Sequence, residues 1–152
     1  MMGVHLAHSG RKAFSQPLWR GDQAMTPAEI DAASIDWRRV GPSAISASSE
    51  WSTPEELSIE EIAKIRQQHV DTARRANAAG MDVVELHYGH GYLVASFLSP
   101  IGNTRDDVYG TARAGRMRIA RGEDARPAQL LAEPHRGQRA IRHFACPRAL
   151  GS

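Results

Sequence analysis

The chain has 152 residues, 41% hydrophobic and 24% charged, which suits one domain with enough apolar content for a core. Its net charge of +2 is uneven: the stretch from Arg121 onward carries +3 and the first 120 residues −1, so the basic balance does not describe a nucleic-acid surface. One cysteine, Cys146, excludes an internal disulfide and a Cys-based zinc cluster. No apolar run approaches the ~20 residues of a membrane span, and no basic segment leads into an apolar one at the N-terminus, so a cytoplasmic protein without membrane partners is expected.

Val4 to Ala7, bounded by Ser9-Gly10, reads as a short strand. Residues 9–56 read as a long connection, punctuated by Gly10, Pro17, Gly21, Pro27, Gly41, Pro42 and Pro54. A structureless stretch of that length in a compact domain is either functional or misassigned. Ser58-Ile59-Glu60-Glu61 is a capping box, and Ile62, Ile65, His69, Ala73 and Ala76 then recur at helical spacing, with Gly80 as the stop. The helix is expected over 58–79. Asp82 to His87 follows at once as a buried strand. Strand, loop, helix and strand make one βαβ unit with parallel pairing. From about Ala120 the chain becomes rich in Arg, Ala, Pro and Gly, and an irregular or disordered tail is expected there.

His87 and His90 stand where the second strand ends, at the carboxyl edge where α/β folds bind ligands. Such a pair can aim two ring nitrogens at one oxygen or one metal, and Tyr92 adds a phenol able to deliver a proton. An isolated His-x-x-His pair also occurs by chance, with His90 capping a turn and Tyr92 packing on the loop. His5 and His8 form a second pair near the end of the first strand, so a small His-based metal protein is one alternative.

Five segments, in order and spacing, resemble the old yellow enzyme family of flavin oxidoreductases. They are His8-Ser9-Gly10-Arg11-Lys12-Ala13, Gly41-Pro42-Ser43-Ala44-Ile45, Ala73 through Gly80 with Val84-Glu85-Leu86-His87, His90-Gly91-Tyr92-Leu93, and Phe97-Leu98-Ser99-Pro100 leading to Asn103-x-Arg105-x-Asp107-x-Tyr109-Gly110. The first segment and the paired histidines look most like the bacterial, xenobiotic-reductase-like branch. The resemblance implies a TIM (β/α)₈ barrel holding FMN, reduced by NADPH or NADH, that passes hydride to the β-carbon of an α,β-unsaturated carbonyl. By position it implies that His87 and His90 bind the enone oxygen, that Tyr92 supplies the proton and that His5 touches the flavin. Two donors aimed at an oxygen that gains charge favour the transition state over the ground state.

Departures accompany the resemblance. The family usually has Gln at the position of His5 and an apolar aromatic at that of His69, where a buried imidazole without a partner costs about 1–3 kcal/mol. After Gly110 the match weakens, and beyond Ile119 it ends. A (β/α)₈ barrel needs about 250 residues. The expected fold class is therefore α/β, a partial barrel of about strands three and four with the intervening loop and helix. Residues 1–119 form the barrel fragment, and residues 120–152 form a tail of no recognised domain. Composition suggests a frameshift near residues 110–120, with a natural extension as the other reading. The chain is expected to be inactive alone, and association with other chains through open sheet edges is the non-catalytic alternative.

Overall fold

The computed structural model describes residues 1–122 and, as backbone, the strand Arg139–His143. Strand β1 (Gly3–Leu6) lies parallel to β4 (Val83–His87), with Gly3 opposite Val83 and Leu6 opposite Leu86. The backbone of Asp82 donates to the Met2 carbonyl at 2.8 Å and its carboxylate accepts from the Met2 amide at 2.7 Å, which fixes this register. Side chains alternate along a strand, so His5, Glu85 and His87 share one face, while Val4, Leu6, Val84 and Leu86 share the other.

Helix α2 (Ile59–Ala78) joins the two strands, as the sequence spacing predicts. The Ser58 hydroxyl accepts from the Glu61 amide at 3.2 Å, and the Glu61 carboxylate accepts from the Ser58 amide at 2.9 Å. Ile62 is fully buried, Val70 and Ala76 are buried, and Ile65 and Ala73 are half-buried. The cost of a partnerless buried imidazole does not arise on this helix. His69 is half-buried, and its Nδ1 lies 2.9 Å from the Ile65 carbonyl one turn back.

Three further expectations are revised. Strand β4 is half-buried at all five residues rather than buried, because one face of the sheet is open among the described residues. Residues 9–56 are not structureless. They hold 3-10 turns at Gly10–Lys12 and Leu18–Arg20, helix α1 (Pro27–Ala32), and the short parallel pair β2 (Val40–Gly41) and β3 (Glu55–Glu56). The tail expectation is corrected at one place. Helix α4 (Arg113–Arg121) ends where the tail begins, with Ile119 and Ala120 buried, and within the tail β5 (Arg139–His143) is a regular strand that pairs with β4 in parallel. Ala, Arg and Met favour helix over 113–121, and the free edge of β4 offers β5 its hydrogen bonds. The remainder of that expectation, and Cys146, lie outside the described residues.

The sheet order is β1-β4-β5, and the described residues close no barrel. The apolar core lies to one side of the sheet. It gathers Val40, Leu57 and Ile62 with Leu93, Val94 and Phe97 of α3 (Leu93–Leu98), then Tyr109, Ile119 and Ala120. The Phe97 and Tyr109 rings meet edge to face at 6.1 Å.

Arg105 ties this core together. Its Nη1 donates to the Pro42 and Leu57 carbonyls at 2.8 and 2.6 Å, and its Nε and Nη2 reach the Asp107 carboxylate at 3.0 and 2.5 Å. Asn103 Nδ2 donates to the Phe97 and Tyr109 carbonyls, both at 2.8 Å. Gly110 packs against this loop so closely that a Cβ there would lie 1.9 Å from the Arg105 carbonyl oxygen.

Candidate functional site

Strand β4 ends at His87, and the turn that follows delivers His90 and Tyr92 to the same place. The Tyr92 amide donates to the Gly89 carbonyl at 3.1 Å, while His90 and Gly91 take left-handed backbone conformations, with φ of 55° and 71°. Tyr92 then caps α3. The turn is anchored from two sides. The Leu93 amide donates to the His8 carbonyl at 2.9 Å, and the Ser96 hydroxyl donates to the Gly91 carbonyl at 3.0 Å. Gly10 is needed for the first contact: it has φ of 59°, and a Cβ there would come within 2.8 Å of the Leu93 Cα.

Four of the side chains singled out from the sequence come together here. The His87 and His90 rings stack with centroids 4.8 Å apart, and His90 Nδ1 lies 2.9 Å from His87 Nε2. Tyr92 meets His87 edge-on at 5.1 Å, and His90 at 6.3 Å. His5, on the neighbouring strand, tilts onto His87 with ring centroids 4.8 Å apart. His5 and His90 are exposed, and His87 and Tyr92 half-buried.

His8 does not join them. Its Nδ1 accepts from the Gly10 amide at 3.1 Å, which anchors the loop after β1. Burial holds this imidazole below the ordinary value of 6.5, and the nearby His69 lowers it further, against the backbone hydrogen bond that raises it. The four-histidine metal centre is therefore not formed. Among the described residues no group of three or more metal-ligating side chains is arranged to hold an ion.

A residue outside the family-like segments, Arg39, supports the loop beside the site. Arg39 is buried, with Nε and Nη2 donating to the Ala13 carbonyl at 3.1 and 3.0 Å, and its guanidinium lies 5.0 Å from the Phe14 ring centre. It holds the connection that follows Gly10–Lys12 in place. Its signal in the sequence is one of two adjacent arginines, Arg38 and Arg39, between Trp37 and Val40, which no local pattern distinguishes.

The resemblance implies FMN, and the described residues fit one part of it. The exposed His5 ring, on the same face as His87, presents one ring N–H donor and one acceptor nitrogen when neutral, enough for a single edge contact with a flavin ring.

The sequence profile of the NADH:flavin oxidoreductase / NADH oxidase family matches residues 1–122. The chain is 40% identical over 109 residues to an NADPH dehydrogenase of Geobacillus thermodenitrificans (strain NG80-2), covering 72% of this chain and 26% of that protein. It is 36% identical over 120 residues to the NADPH dehydrogenase of Bacillus subtilis (strain 168), covering 79% of this chain and 30% of that one. Among solved structures, morphinone reductase superposes with a TM-score of 0.53 at 28% identity, covering 63% of this chain and 28% of its own. The chain thus spans under a third of the length of these relatives. On the match across its described N-terminal residues, it belongs to the NADH:flavin oxidoreductase / NADH oxidase family.

Proposed function

We propose that the chain carries the carbonyl-binding part of an FMN-dependent NAD(P)H oxidoreductase of the ene-reductase type, acting on a small α,β-unsaturated carbonyl compound. The support is the convergence of His87 Nε2 and His90 Nδ1 to 2.9 Å. An oxygen that enters between the rings and breaks this hydrogen bond, each ring turning its nitrogen towards it, can accept from both. In the free pair one nitrogen donates and the other accepts. Clamping an oxygen needs a proton on both, so substrate binding shifts the tautomer of one ring or adds a proton to the pair.

FMN, when bound, supplies the hydride. This chain's own residues do the rest. His87 and His90 hold and polarise the oxygen, where charge builds during reduction. Tyr92, edge-on to His87, holds the proton for the α-carbon at its phenolic oxygen. His5 makes the flavin-edge contact. A cytoplasmic setting goes with a nicotinamide reductant.

Nitrogen-15 spectra of the histidine rings test the clamp. Adding cyclohex-2-enone to the chain should bring the accepting nitrogen of the pair to a protonated-nitrogen shift, so that His87 Nε2 and His90 Nδ1 both read as protonated. Unmoved rings at saturating enone would refute it.

We further propose that the 152-residue chain alone neither holds FMN tightly nor turns over. Flavin affinity arises from contacts around a whole barrel mouth, and here the described residues supply one candidate, His5. Flavin-fluorescence titration followed by NADPH oxidation with cyclohexenone should show neither binding nor turnover. Stoichiometric binding with turnover would instead favour self-association, for which β1, at the end of the described sheet, offers an edge.

A further inference from the structure

Two positive charges sit in the single 3-10 turn Gly10–Lys12 beside the histidine cluster. Neither has a carboxylate partner among the described residues. Arg11 makes one hydrogen bond, from Nη1 to the Ser46 carbonyl at 3.3 Å, and its buried Nε has no partner. Burial pushes its guanidinium down from the ordinary arginine range. Lys12 is half-buried, and its ammonium makes no hydrogen bond or ion pair with the described residues.

The position of Lys12 is specific. Its side chain lies along the turn that carries His90 and Tyr92. A Cβ built on Gly91 would touch Lys12 Cε at 3.5 Å and Nζ at 3.6 Å. The ammonium is therefore packed against the residue between the second clamp histidine and the phenol. Of the acidic side chains, Glu56 and Asp107 are taken by Arg105, and Glu55 and Glu61 by Arg38; Glu85 lies on the His5 and His87 face of the sheet and makes no ion pair with Lys12. A half-covered cation without a carboxylate partner among the described residues raises the local potential for an anion, and the Arg11 charge, directed towards Ser46 and Gly102, adds to it at longer range.

We infer that Lys12 is a specificity-determining residue, giving the site a preference for carbonyl substrates that carry a second, anionic oxygen group such as a carboxylate. This deepens the carbonyl-binding proposal and rests on it. Lys12 contacts the oxyanion, Arg11 adds to the field, and His87 and His90 take the carbonyl oxygen.

The test is a titration of the 152-residue chain, followed through the histidine ring nitrogens and the Lys12 Nζ, with three probes: neutral cyclohex-2-enone, 3-oxocyclohex-1-ene-1-carboxylate and inorganic phosphate. The carboxylate-bearing enone should bind about tenfold more tightly than the neutral one. Added salt should shrink that ratio. Lys12→Met should bring it to about one, and Lys12→Arg should keep most of it. Equal affinities for the two enones in the parent chain would overturn the inference while leaving the carbonyl clamp standing. Phosphate binding as tightly as the carboxylate enone would also overturn it, since the turn would then attract any anion without regard to the carbonyl. Histidine rings unmoved by either enone would overturn the clamp, and the inference with it.

Discussion

His8 shows how one side chain can serve the scaffold while its sequence neighbours serve the site. Its Nδ1 accepts from the Gly10 amide, so protonation would turn an acceptor into a donor facing an N–H. Burial, then the nearby His69, already hold its pKa below the ordinary 6.5. The unfolded chain therefore binds a proton that the folded chain resists, and stability rises with pH through that window. The contribution is present above 6.5 and is lost as pH falls from there through the lower folded-state value. Urea denaturation at pH 7 and pH 5 should show lower stability at pH 5, and His8→Asn should flatten the difference. An unchanged slope in that variant would assign the dependence elsewhere. Arg105 is the other decisive residue. Its side chain is 5% exposed, and Arg105→Met would leave two carbonyls and a carboxylate without their donor. A loss of about 3 kcal/mol in the denaturation midpoint analysis is expected. The motif around Arg105 was visible in the sequence as a family signature, but its role was not. The carbonyls it binds belong to residues 63 and 48 positions earlier, a distance that no local pattern encodes.

At the level of elements, legibility followed locality. Helix α2 was readable because its capping box, apolar period and stop all lie within the helix and its flanks. Ser58→Ala should cost about 1 kcal/mol, measured by chemical denaturation, through loss of the Glu61 amide's partner. Helix α1 carries the same device: the Thr26 hydroxyl accepts from the Glu29 amide at 3.3 Å, with Pro27 in the first turn. That signal was present in Thr26-Pro27-Ala28-Glu29 and was passed over, because the surrounding glycines and prolines marked the whole stretch as a connection. The two-residue strands β2 and β3 had no such signal. They exist because the Leu57 amide donates to the Gly41 carbonyl and the Glu55 amide to the Arg39 carbonyl, contacts set by the fold around them. Strand β5 was likewise invisible. Arg139 to His143 has no clean alternation, and its pairing is determined by the edge of β4.

Across the molecule, the best-covered region and the candidate site are different places. The fully buried side chains Phe97, Leu93 and Ile62 belong to the core beside α3, while His5 and His90 stand exposed on the open side of the sheet and every residue of β4 is half-covered. Local opening should be cheapest where burial is least. Hydrogen exchange followed by mass spectrometry is expected to show slow amides in α3 and the buried part of α4, and faster ones in β1 and β4. Faster exchange in α3 than in β4 would contradict this. The clustering of the candidate residues was nonetheless legible from sequence, since His87, His90 and Tyr92 fall within six consecutive residues from the end of one strand, and the parallel pairing with β1 brings His5 alongside. What the sequence could not show was the neighbouring turn with Lys12, which reaches Gly91 only through the packing of Gly10 on Leu93.

The left-handed backbone at His90 also acts as a filter on evolution and on engineering. Glycine tolerates that conformation, and asparagine, aspartate and histidine adopt it far more readily than other side chains. Of these four, asparagine and histidine alone can donate a side-chain hydrogen bond to a neutral carbonyl near pH 7. On the proposed carbonyl clamp, a saturation library at this codon, scored by enone binding, should therefore collapse to two survivors. Valine or isoleucine should be lost through misfolding rather than through altered chemistry, and a randomisation effort aimed at new substrates is better spent on position 12.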